Sequence, residues 1–356
     1  MLYHYRSRRS WRTRFLWLGV GILCVVVIAS IAFSVTHSVG DKKTTSSKTA
    51  STTPVAVARN WSSYFASTTL LAKAAYVADL NTGQVLFKKN ASEPLALASL
   101  TKLMMTATAL ANAPTTTVID ITHLAVEEGW GGDSGLDVGE RWRLGDLLRF
   151  TLVVSANDGA NAIAQNIGAL LDNPGKNVTS AVNGTSTPPP NASRLVWSAS
   201  TTALKTYQAT FMQHMNTLAA QLGLTSARFL DPSGLDISTT TAGAYASAED
   251  IAKLITYDAA RYPNILNATR LATITVTSLN HIVHHGNNTD LLTLKGLNLI
   301  ASKTGYTNLA DGNLAVIVNI SGHPVVIVVL GSTIPGRFAD VAALASTSAA
   351  VIAAGG

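Results

Sequence analysis

Runs of apolar residues at the two ends of the folded part of the chain predict two β-hairpins. Residues 75–80 and 84–89 are strand-like, and the turn between them ends in Gly83, which suits a positive φ. Residues 315–320 and 325–330 are rich in Val and Ile and flank a turn that contains Gly and Pro. The pattern therefore places strands near both ends of the folded chain.

Apolar residues at helical spacing occupy the region between these hairpins. Asp158 follows one apolar segment and is predicted to cap the helix after it. Because helices lie between terminal strands, the pattern predicts an α+β fold, with one sheet built from both chain ends and a mostly helical subregion. The predicted helices cover residues 99–111, 144–154, 160–171, 206–222, 247–257 and 338–353.

The segment 15–35 carries no charge and is long enough to cross a bilayer as a helix. We expect a transmembrane anchor there, a cytoplasmic tail at 1–14 and an exported remainder, because basic residues concentrate before the segment. A cleaved signal peptide is the alternative, with Ala32-Phe33-Ser34 as the processing site. The basic residues are Arg6, Arg8, Arg9, Arg12 and Arg14.

Composition supports one large folded domain after a flexible tether. Residues 36–60 are rich in Ser, Thr and Lys and predict a linker, whereas 61–356 predict the folded domain with a polar insertion at 172–200. The chain of 356 residues is 47% hydrophobic, which is ample for a core. Its net charge of +6 comes mostly from the N-terminal arginines, so nucleic-acid binding is not indicated. The sole cysteine, Cys24, lies in the apolar segment, and no disulfide is predicted.

Ser99 and Lys102 stand three residues apart at the head of the first predicted helix. On a helix this spacing puts both side chains on one face. A serine hydroxyl needs a base to act as a nucleophile, and a desolvated lysine can lose its proton and serve. The helix N-terminus adds free backbone N–H groups where an oxyanion would form. The pair predicts serine acyl transfer with lysine as the base.

Two further short motifs follow in the chain. Ser155-x-Asn157 lies at a predicted junction of two helices, and Lys303-Thr304-Gly305 lies shortly before the final strands. Each motif is weak alone, but the three in this order are the set found in penicillin-binding proteins and class A β-lactamases. Together they indicate one acyl-transfer site assembled from distant segments.

With these motifs, the sequence resembles the serine D-alanyl-D-alanine carboxypeptidases of low molecular mass, the peptidase S11 family of penicillin-binding proteins. The resemblance covers roughly residues 74–344 and extends beyond the motifs. It implies the β-lactamase/transpeptidase-like α+β fold. The segments that carry it are 75–86, 155–162, 229–236 and 303–307.

The resemblance also implies a mechanism through an acyl-enzyme. Ser99 would attack the penultimate carbonyl of a peptide ending in D-Ala-D-Ala, and Lys102 would take its proton. Ser155 would relay a proton to the leaving D-alanine. The backbone N–H groups of Ser99 and Tyr306 would form the oxyanion hole. A peptidoglycan stem peptide is the implied substrate, and β-lactams are the implied covalent inhibitors.

The remaining motif residues are implied to bind substrate. Asn157 would hold the peptide backbone, and Lys303 with Thr304 would meet the terminal carboxylate. Neither a metal nor another cofactor is implied. Membrane contact is expected through the N-terminal segment, which would hold the catalytic domain outside the cytoplasm. Two departures from the family pattern leave the shape of the substrate groove open, at 288–290, which reads Asn-Thr-Asp, and at 310–312, which reads Ala-Asp-Gly.

Three other functions remain open at this level. A D,D-endopeptidase would use the same site on a cross-link. A class A-like β-lactamase would need a glutamate between the second and third motifs, where Glu249 is the only one and begins a predicted helix. An inactive wall-binding module would keep the fold, although all three motifs are intact.

Several residues outside the motifs have competing interpretations. Three histidines could bind zinc, but no Cys or Glu is near them in sequence, so solvated or groove-lining roles are the alternative. Two tryptophans could stack on sugars or pack in the core. An arginine near the last helix could bind the substrate carboxylate or simply begin that helix. These residues are His281, His284, His285, Trp130, Trp142 and Arg337.

Overall fold

The structure is a computed structural model that describes residues 61–129, 134–173, 199–294 and 296–355. The tail, apolar segment and linker predicted for 1–60 lie outside these residues, as does most of the 172–200 insertion. Among the described helices, none has both the length and the apolar character required to cross a membrane.

A five-stranded antiparallel sheet joins the two ends of the described chain and confirms the predicted α+β class. Its strand order is β10-β11-β12-β1-β2. The strands of the structure are β1 (Ala74–Asp79), β2 (Val85–Lys89), β3 (Leu95–Ala96), β4 (Val118–Asp120), β5 (Arg141–Arg143), β6 (Arg228–Phe229), β7 (Ala244–Ala246), β8 (Thr273–Thr277), β9 (Val283–Asn287), β10 (Leu299–Thr307), β11 (Asp311–Ile320) and β12 (His323–Ser332).

Both predicted hairpins are present, and the sheet places them side by side. The first hairpin is β1 with β2, and the last is β11 with β12. Strand β1 pairs with β12 in the register Ala75↔Val329, which links the first strand to the last. Strand β10 is at one edge of the sheet and pairs with β11 alone in this sheet.

The helices cover both faces of this sheet. They are α1 (Thr101–Asn112), α2 (His123–Glu128), α3 (Leu144–Val154), α4 (Asn157–Asp172), α5 (Thr201–Gln221), α6 (Ala248–Arg261), α7 (Pro263–Leu266) and α8 (Gly336–Ala353). The predicted helices are confirmed with shifts of a few residues at their ends. Helix α4 begins at Asn157, three residues earlier than predicted, so Asp158 lies in its first turn and Ala156, not Asp158, is the cap residue.

Strand β12 shows why its sequence is apolar at nearly every position. Val325, Ile327 and Val329 belong to the core cluster on the α8 side. Val326 and Val328 point to the other face and join the core of the helical region. A strand buried on both faces loses the alternation of a half-exposed strand and becomes a continuous apolar run.

Helix α1 is the central helix of the helical region. Its residues from Thr101 to Ala109 are all buried. It contacts α4, α5 and α6, so other elements surround it on several sides. A rigid, buried helix of this kind holds the residues at its N-terminus in fixed positions.

Candidate active site

Ser99 lies in a tight 3₁₀ turn, Ala98–Leu100, that leads directly into α1. Ala98 has φ +49°, an uncommon conformation for a residue with a side chain. The hydroxyl of Thr101 donates to the carbonyl of Ala98 at 2.7 Å and helps to hold this conformation. The turn leaves Ser99 half-buried at the N-terminus of α1.

Lys102 is fully buried, and its ammonium nitrogen has three close oxygen neighbours. Nζ donates to Asn157 Oδ1 at 2.7 Å and to the carbonyl of Ser233 at 2.9 Å. The third neighbour is Ser99 Oγ at 2.8 Å. Two of the three oxygens can only accept, so a neutral amine would use both N–H bonds on them and turn its lone pair towards the Ser99 hydroxyl.

The pKa of Lys102 favours that neutral form. Burial lowers the pKa of Lys102 from its ordinary 10.5 to about 7, and the negative charges of Asp231 and Asp158 oppose the shift. A base with a pKa near neutrality is suited to accept a proton from a serine hydroxyl.

Ser155 and Asn157 occupy the junction between α3 and α4. Ser155 ends α3 in the left-handed conformation, with φ +64°, and α4 begins two residues later at Asn157. This sharp change of direction lets both side chains meet lysines from other elements. Lys303 Nζ donates to Ser155 Oγ at 3.0 Å, and Asn157 contacts Lys102 as described above.

Lys303 and Thr304 project from the edge strand β10 and are both buried. Burial lowers the pKa of Lys303 well below its ordinary range, and the positive charges of Lys102 and Arg337 lower it further. The hydroxyl groups of Thr304 and Thr289 lie 2.6 Å apart. The three motifs predicted from the sequence therefore meet in one place.

The strand β10 passes very close, at Gly305, to the turn that contains Ser99. A Cβ atom at this position would lie 2.7 Å from the Leu97 carbonyl and 3.2 Å from the backbone nitrogen of Ser99, so a larger residue would push the two segments apart. Tyr306 follows with an exposed side chain. The backbone of β10 thus runs alongside the backbone of Ser99.

Arg337 is buried at the start of α8 rather than at the surface. Its Nη1 donates to the carbonyl of Gly305 at 2.7 Å. Burial lowers the pKa of Arg337, although the nearby carboxylate of Asp290 raises it. Arg337 therefore adds positive charge beneath β10 and fixes the backbone of the third motif.

Two residues of the site were missed by the sequence analysis. Asp231 Oδ1 accepts hydrogen bonds from the backbone N–H groups of Ser233 and Gly234, both at 2.8 Å, and so folds the turn whose carbonyl accepts from Lys102. Thr289 lies beside Thr304. The sequence signals for the first were the turn-forming Asp231-Pro232-Ser233-Gly234 run and its place within segment 229–236, which carries the resemblance.

Comparison with known proteins identifies the family of this chain. A family model described as D-alanyl-D-alanine carboxypeptidase, Peptidase S11, matches residues 62–173 and 203–333. The chain belongs to peptidase family S11. As a family member it is a serine-type peptidase. The resemblance to the S11 family and the fold that it implies are confirmed.

Relatives of this S11 peptidase include two curated D-alanyl-D-alanine endopeptidases. The protein from Pseudomonas aeruginosa is 27% identical over 264 residues, 73% of this chain and 71% of that protein. The Escherichia coli protein is 26% identical over 281 residues, 78% of this chain and 77% of that protein. The fold matches the Streptomyces K15 DD-transpeptidase with a TM-score of 0.63 and 21% identity, covering 78% of this chain and 97% of that one.

The histidines of the S11 peptidase do not gather into a metal site. Among the described residues, no group of three or more His, Cys, Asp and Glu could hold a metal ion. His284 is buried and lies 2.9 Å from Glu140, which also accepts from Trp142 Nε1 at 2.9 Å. Glu140 is distant from His284 in sequence, so the sequence alone did not indicate this contact. Nδ1 of His285 is 3.0 Å from the hydroxyl of Thr275.

Trp142 and Glu249 contact residues outside the three motifs. Trp142 is fully buried and stacks on Phe150, so it packs in the core, and Trp130 lies outside the described residues. Glu249 begins α6 and forms ion pairs with Lys88 at 3.2 Å and Lys253 at 3.6 Å. Within the described residues, the side-chain contacts of Glu249 are with Lys88 and Lys253 rather than with the motif residues, so they do not support a β-lactamase-type water site.

Proposed function

We propose that this S11 peptidase is a D-Ala-D-Ala carboxypeptidase that acts on peptidoglycan stem peptides through an acyl-enzyme at Ser99. The observation that carries the proposal is the contact of a buried amine, Lys102 Nζ, with Ser99 Oγ at 2.8 Å, while its other two close neighbours can only accept hydrogen bonds. This geometry supports removal of the serine proton as the serine attacks a carbonyl carbon.

In the proposed reaction, Ser99 Oγ bonds to the penultimate carbonyl carbon and its proton passes to neutral Lys102. The oxyanion accepts from the backbone N–H groups of Ser99 and Tyr306. The bond to the terminal D-alanine then breaks, and Ser155 relays the proton to the leaving amine. Water finally hydrolyses the ester and restores the serine hydroxyl.

The proposed substrate contacts use the charge of the site. Lys303 and the hydroxyl of Thr304 would bind the terminal carboxylate of the peptide, which is a charge-assisted interaction. Asn157 would hold the peptide backbone as well as Lys102. The positive charge of Arg337 near Lys303 supports binding of an anion here, and a bound carboxylate would favour the protonated form of Lys303. The same chemistry supports acylation of Ser99 by β-lactams.

A D,D-endopeptidase is the second candidate, because two relatives with more than two-thirds of their length matched carry that name. Purified full-length protein should be assayed in detergent with a pentapeptide ending in D-Ala-D-Ala and with a cross-linked muropeptide dimer. Release of D-alanine from the first substrate supports the carboxypeptidase, whereas cleavage of only the dimer supports the endopeptidase. Ser99→Ala and Lys102→Ala should abolish either activity.

The test also separates two other functions. A fluorescent penicillin should label the wild type stably and should not label Ser99→Ala. Fast turnover of nitrocefin would instead indicate a β-lactamase, and absence of both label and cleavage would indicate an inactive wall-binding module. Either result contradicts the proposed carboxypeptidase.

We further propose that segment 15–35 anchors the chain in the membrane and holds residues 61–356 outside the cytoplasm, on the linker 36–60. The proposal rests on the uncharged segment and the arginines before it. External protease added to spheroplasts should digest the domain, and a band of full-length mass in the membrane fraction should be present before digestion. A protected domain, or a shortened soluble product, would contradict it.

A further inference from the structure

Asn313 is a fully buried polar residue of β11 that lies beside the third motif and belongs to none of the three motifs. It is paired with Gly305 in the register of β10 and β11. Paired residues on antiparallel strands direct their side chains to the same face of the sheet. At Gly305 this face meets the turn that contains Ser99, because a Cβ atom there would lie 3.2 Å from the Ser99 backbone nitrogen. The side chain of Asn313 therefore points towards the same turn.

The side-chain amide of Asn313 joins two backbone segments. Its Nδ2 donates to the carbonyl of Ala96 at 2.9 Å, and its Oδ1 accepts from the backbone N–H of Gly331 at 2.7 Å. Ala96 ends β3, and only Leu97 separates it from the turn that contains Ser99. Gly331 belongs to β12 in the five-stranded sheet. The amide thus ties the segment that leads into the nucleophile to the sheet.

A bulge in β12 explains why a side-chain amide is needed at this point. Between Gly312 and Leu314 the pairing of β11 with β12 shifts by one residue, so that Leu330 and Gly331 both lie opposite Asn313. Gly331 has φ +66°, the left-handed conformation that one common type of bulge requires. Because a bulge interrupts the ladder of backbone hydrogen bonds, the oxygen of Asn313 supplies the acceptor for the Gly331 N–H.

This tie acts on one part of the site and spares another. Ser99 and Lys102 belong to one continuous helical segment, so their contact is local. The backbone N–H of Tyr306 belongs to β10, so its distance from the N–H of Ser99 depends on how closely two separate segments are held together. The hydrogen bond from Asn313 to Ala96 is a contact that holds the first of these segments against the sheet that contains the second.

We propose that Asn313 is a positioning residue of the acyl-transfer reaction, which sets the spacing between the backbone N–H groups of Ser99 and Tyr306 by holding Ala96 against the sheet. The inference rests on the proposed function, in which these two N–H groups bind the oxyanion. Asn313 contacts neither the substrate nor the reacting atoms in this scheme. Its effect is therefore on the transition state for attack on the carbonyl carbon, and much less on the binding that precedes it.

The test compares Asn313→Ala with a matched control, Asn166→Ala. Asn166 is a buried residue of α4 whose Nδ2 donates to the carbonyl of Asp120 at 2.9 Å and whose Oδ1 accepts from the N–H of Asp120 at 3.1 Å. Its printed partners, Asp120 and Ala162, lie outside the three motifs. Each substitution removes a buried amide that joins two backbone segments, so we expect both variants to unfold at a lower temperature than the wild type.

Labelling of the full-length protein by a fluorescent penicillin, at several concentrations and pH values, separates positioning from mere support of the fold. In Asn313→Ala the limiting rate of acylation should fall about 10- to 50-fold. The penicillin concentration that gives half of this rate should stay within about twofold of the wild type. The pH midpoint of labelling should also stay the same, because the contact of Lys102 with Ser99 is kept. Asn166→Ala should label within about twofold of the wild-type rate.

Asn313→Ser provides a second variant should Asn313→Ala fail to fold. Its hydroxyl can satisfy one of the two backbone groups, so it should fold and still slow acylation about threefold or more.

Four results would overturn the inference. They are a limiting rate for Asn313→Ala within about twofold of the wild type, an equal fall in Asn166→Ala, a shifted pH midpoint, and a failure of both Asn313 variants to fold while Asn166→Ala folds. The last would make Asn313 a structural residue only. Failure of the proposed function is distinguishable, because the wild-type protein would then take no penicillin label.

Discussion

The hydroxyl groups of Thr289 and Thr304 lie 2.6 Å apart and connect the segment before β10 to the third motif. Thr304 is buried, so this neighbour sets the direction of its hydroxyl. Replacing Thr289 with valine removes the hydrogen bond but keeps the shape of the side chain. We expect KM for a D-Ala-D-Ala peptide to rise about 3- to 10-fold while kcat stays within about twofold.

Thr275→Val is the matched control for this prediction. Its hydroxyl contacts Nδ1 of His285 in the exposed β8–β9 hairpin, so the same chemical change is made away from the motif residues. Steady-state kinetics of both variants checks the split between KM and kcat. An unchanged KM in Thr289→Val would show that the Thr304 hydroxyl does not depend on its neighbour.

The rate of acylation should follow the ionisation of Lys102. Burial lowers the pKa of Lys102 to about 7, so the neutral amine needed as a base is lost as the pH falls below that value. The second-order rate of labelling by a fluorescent penicillin should fall about tenfold per pH unit below 7 and level off above it. Stopped-flow or quench labelling from about pH 5.5 to 8.5 measures this. A flat profile in that range would argue against Lys102 as the base.

We expect that no residue with a side chain can replace Gly234 without a shift of the backbone, because Gly234 packs against the turn that contains Ser99. It has φ +85°, and a Cβ atom there would lie 2.0 Å from the carbonyl oxygen of Ala98. Gly234→Ala should displace that turn and slow penicillin acylation about 10- to 100-fold.

Gly223→Ala isolates the cost of the backbone conformation from the cost of the contact. Gly223 has φ +68°, but nothing lies within 4 Å of a Cβ at that position. This variant should lose about 1 kcal/mol of unfolding free energy and keep its acylation rate. If the two variants slow acylation equally, the close approach of Gly234 to Ala98 is not what positions Ser99.

Asp258 should reduce stability at neutral pH. It is fully buried in α6, and among the described residues neither carboxylate oxygen has a hydrogen-bond partner. Burial raises the pKa of Asp258 well above its ordinary value of 3.8. The contribution of Asp258 to the stability of the folded protein is therefore most favourable below pH 3.8. It becomes less favourable as the pH rises from 3.8 towards the raised pKa.

Asp258→Asn removes the ionisable group and keeps nearly the same side-chain shape. We expect the variant to unfold at about the same temperature as the wild type near pH 4 and to be the more stable of the two at pH 8. Thermal melts at several pH values measure the difference. A variant that is less stable than the wild type at every pH would show that the carboxyl group has a structural partner.

Local sequence patterns predicted the terminal hairpins, the longer helices and one contact of the site. The hairpins β1–β2 and β11–β12 follow from apolar runs around turn residues, and the contact of Lys102 with Ser99 follows from their spacing in sequence. The second and third motifs were found as members of a known set, and the resemblance added the roles of their residues. These parts were predictable because each depends on residues close in sequence or on a known set of motifs.

The rest of the site depends on long-range packing that no short window contains. The Ser233 carbonyl that accepts from Lys102 is 131 residues away, and Glu140 is 144 residues from His284. Arg337 was left between two interpretations because burial at a helix start is set by the sheet beneath it. The role of Thr289 required the register of β10 relative to the preceding segment.

The pairing of β1 with β12 gives the chain an order of assembly. The ribosome makes β1 early and β12 near the end, so the inner edge of β1 has no partner until the last strands emerge. Lys303 precedes those strands, and the nucleophile precedes it by most of the domain. Catalytic competence therefore arises in a late folding step, and a nascent chain that already contains Ser99 and Lys102 remains inactive until the sheet closes.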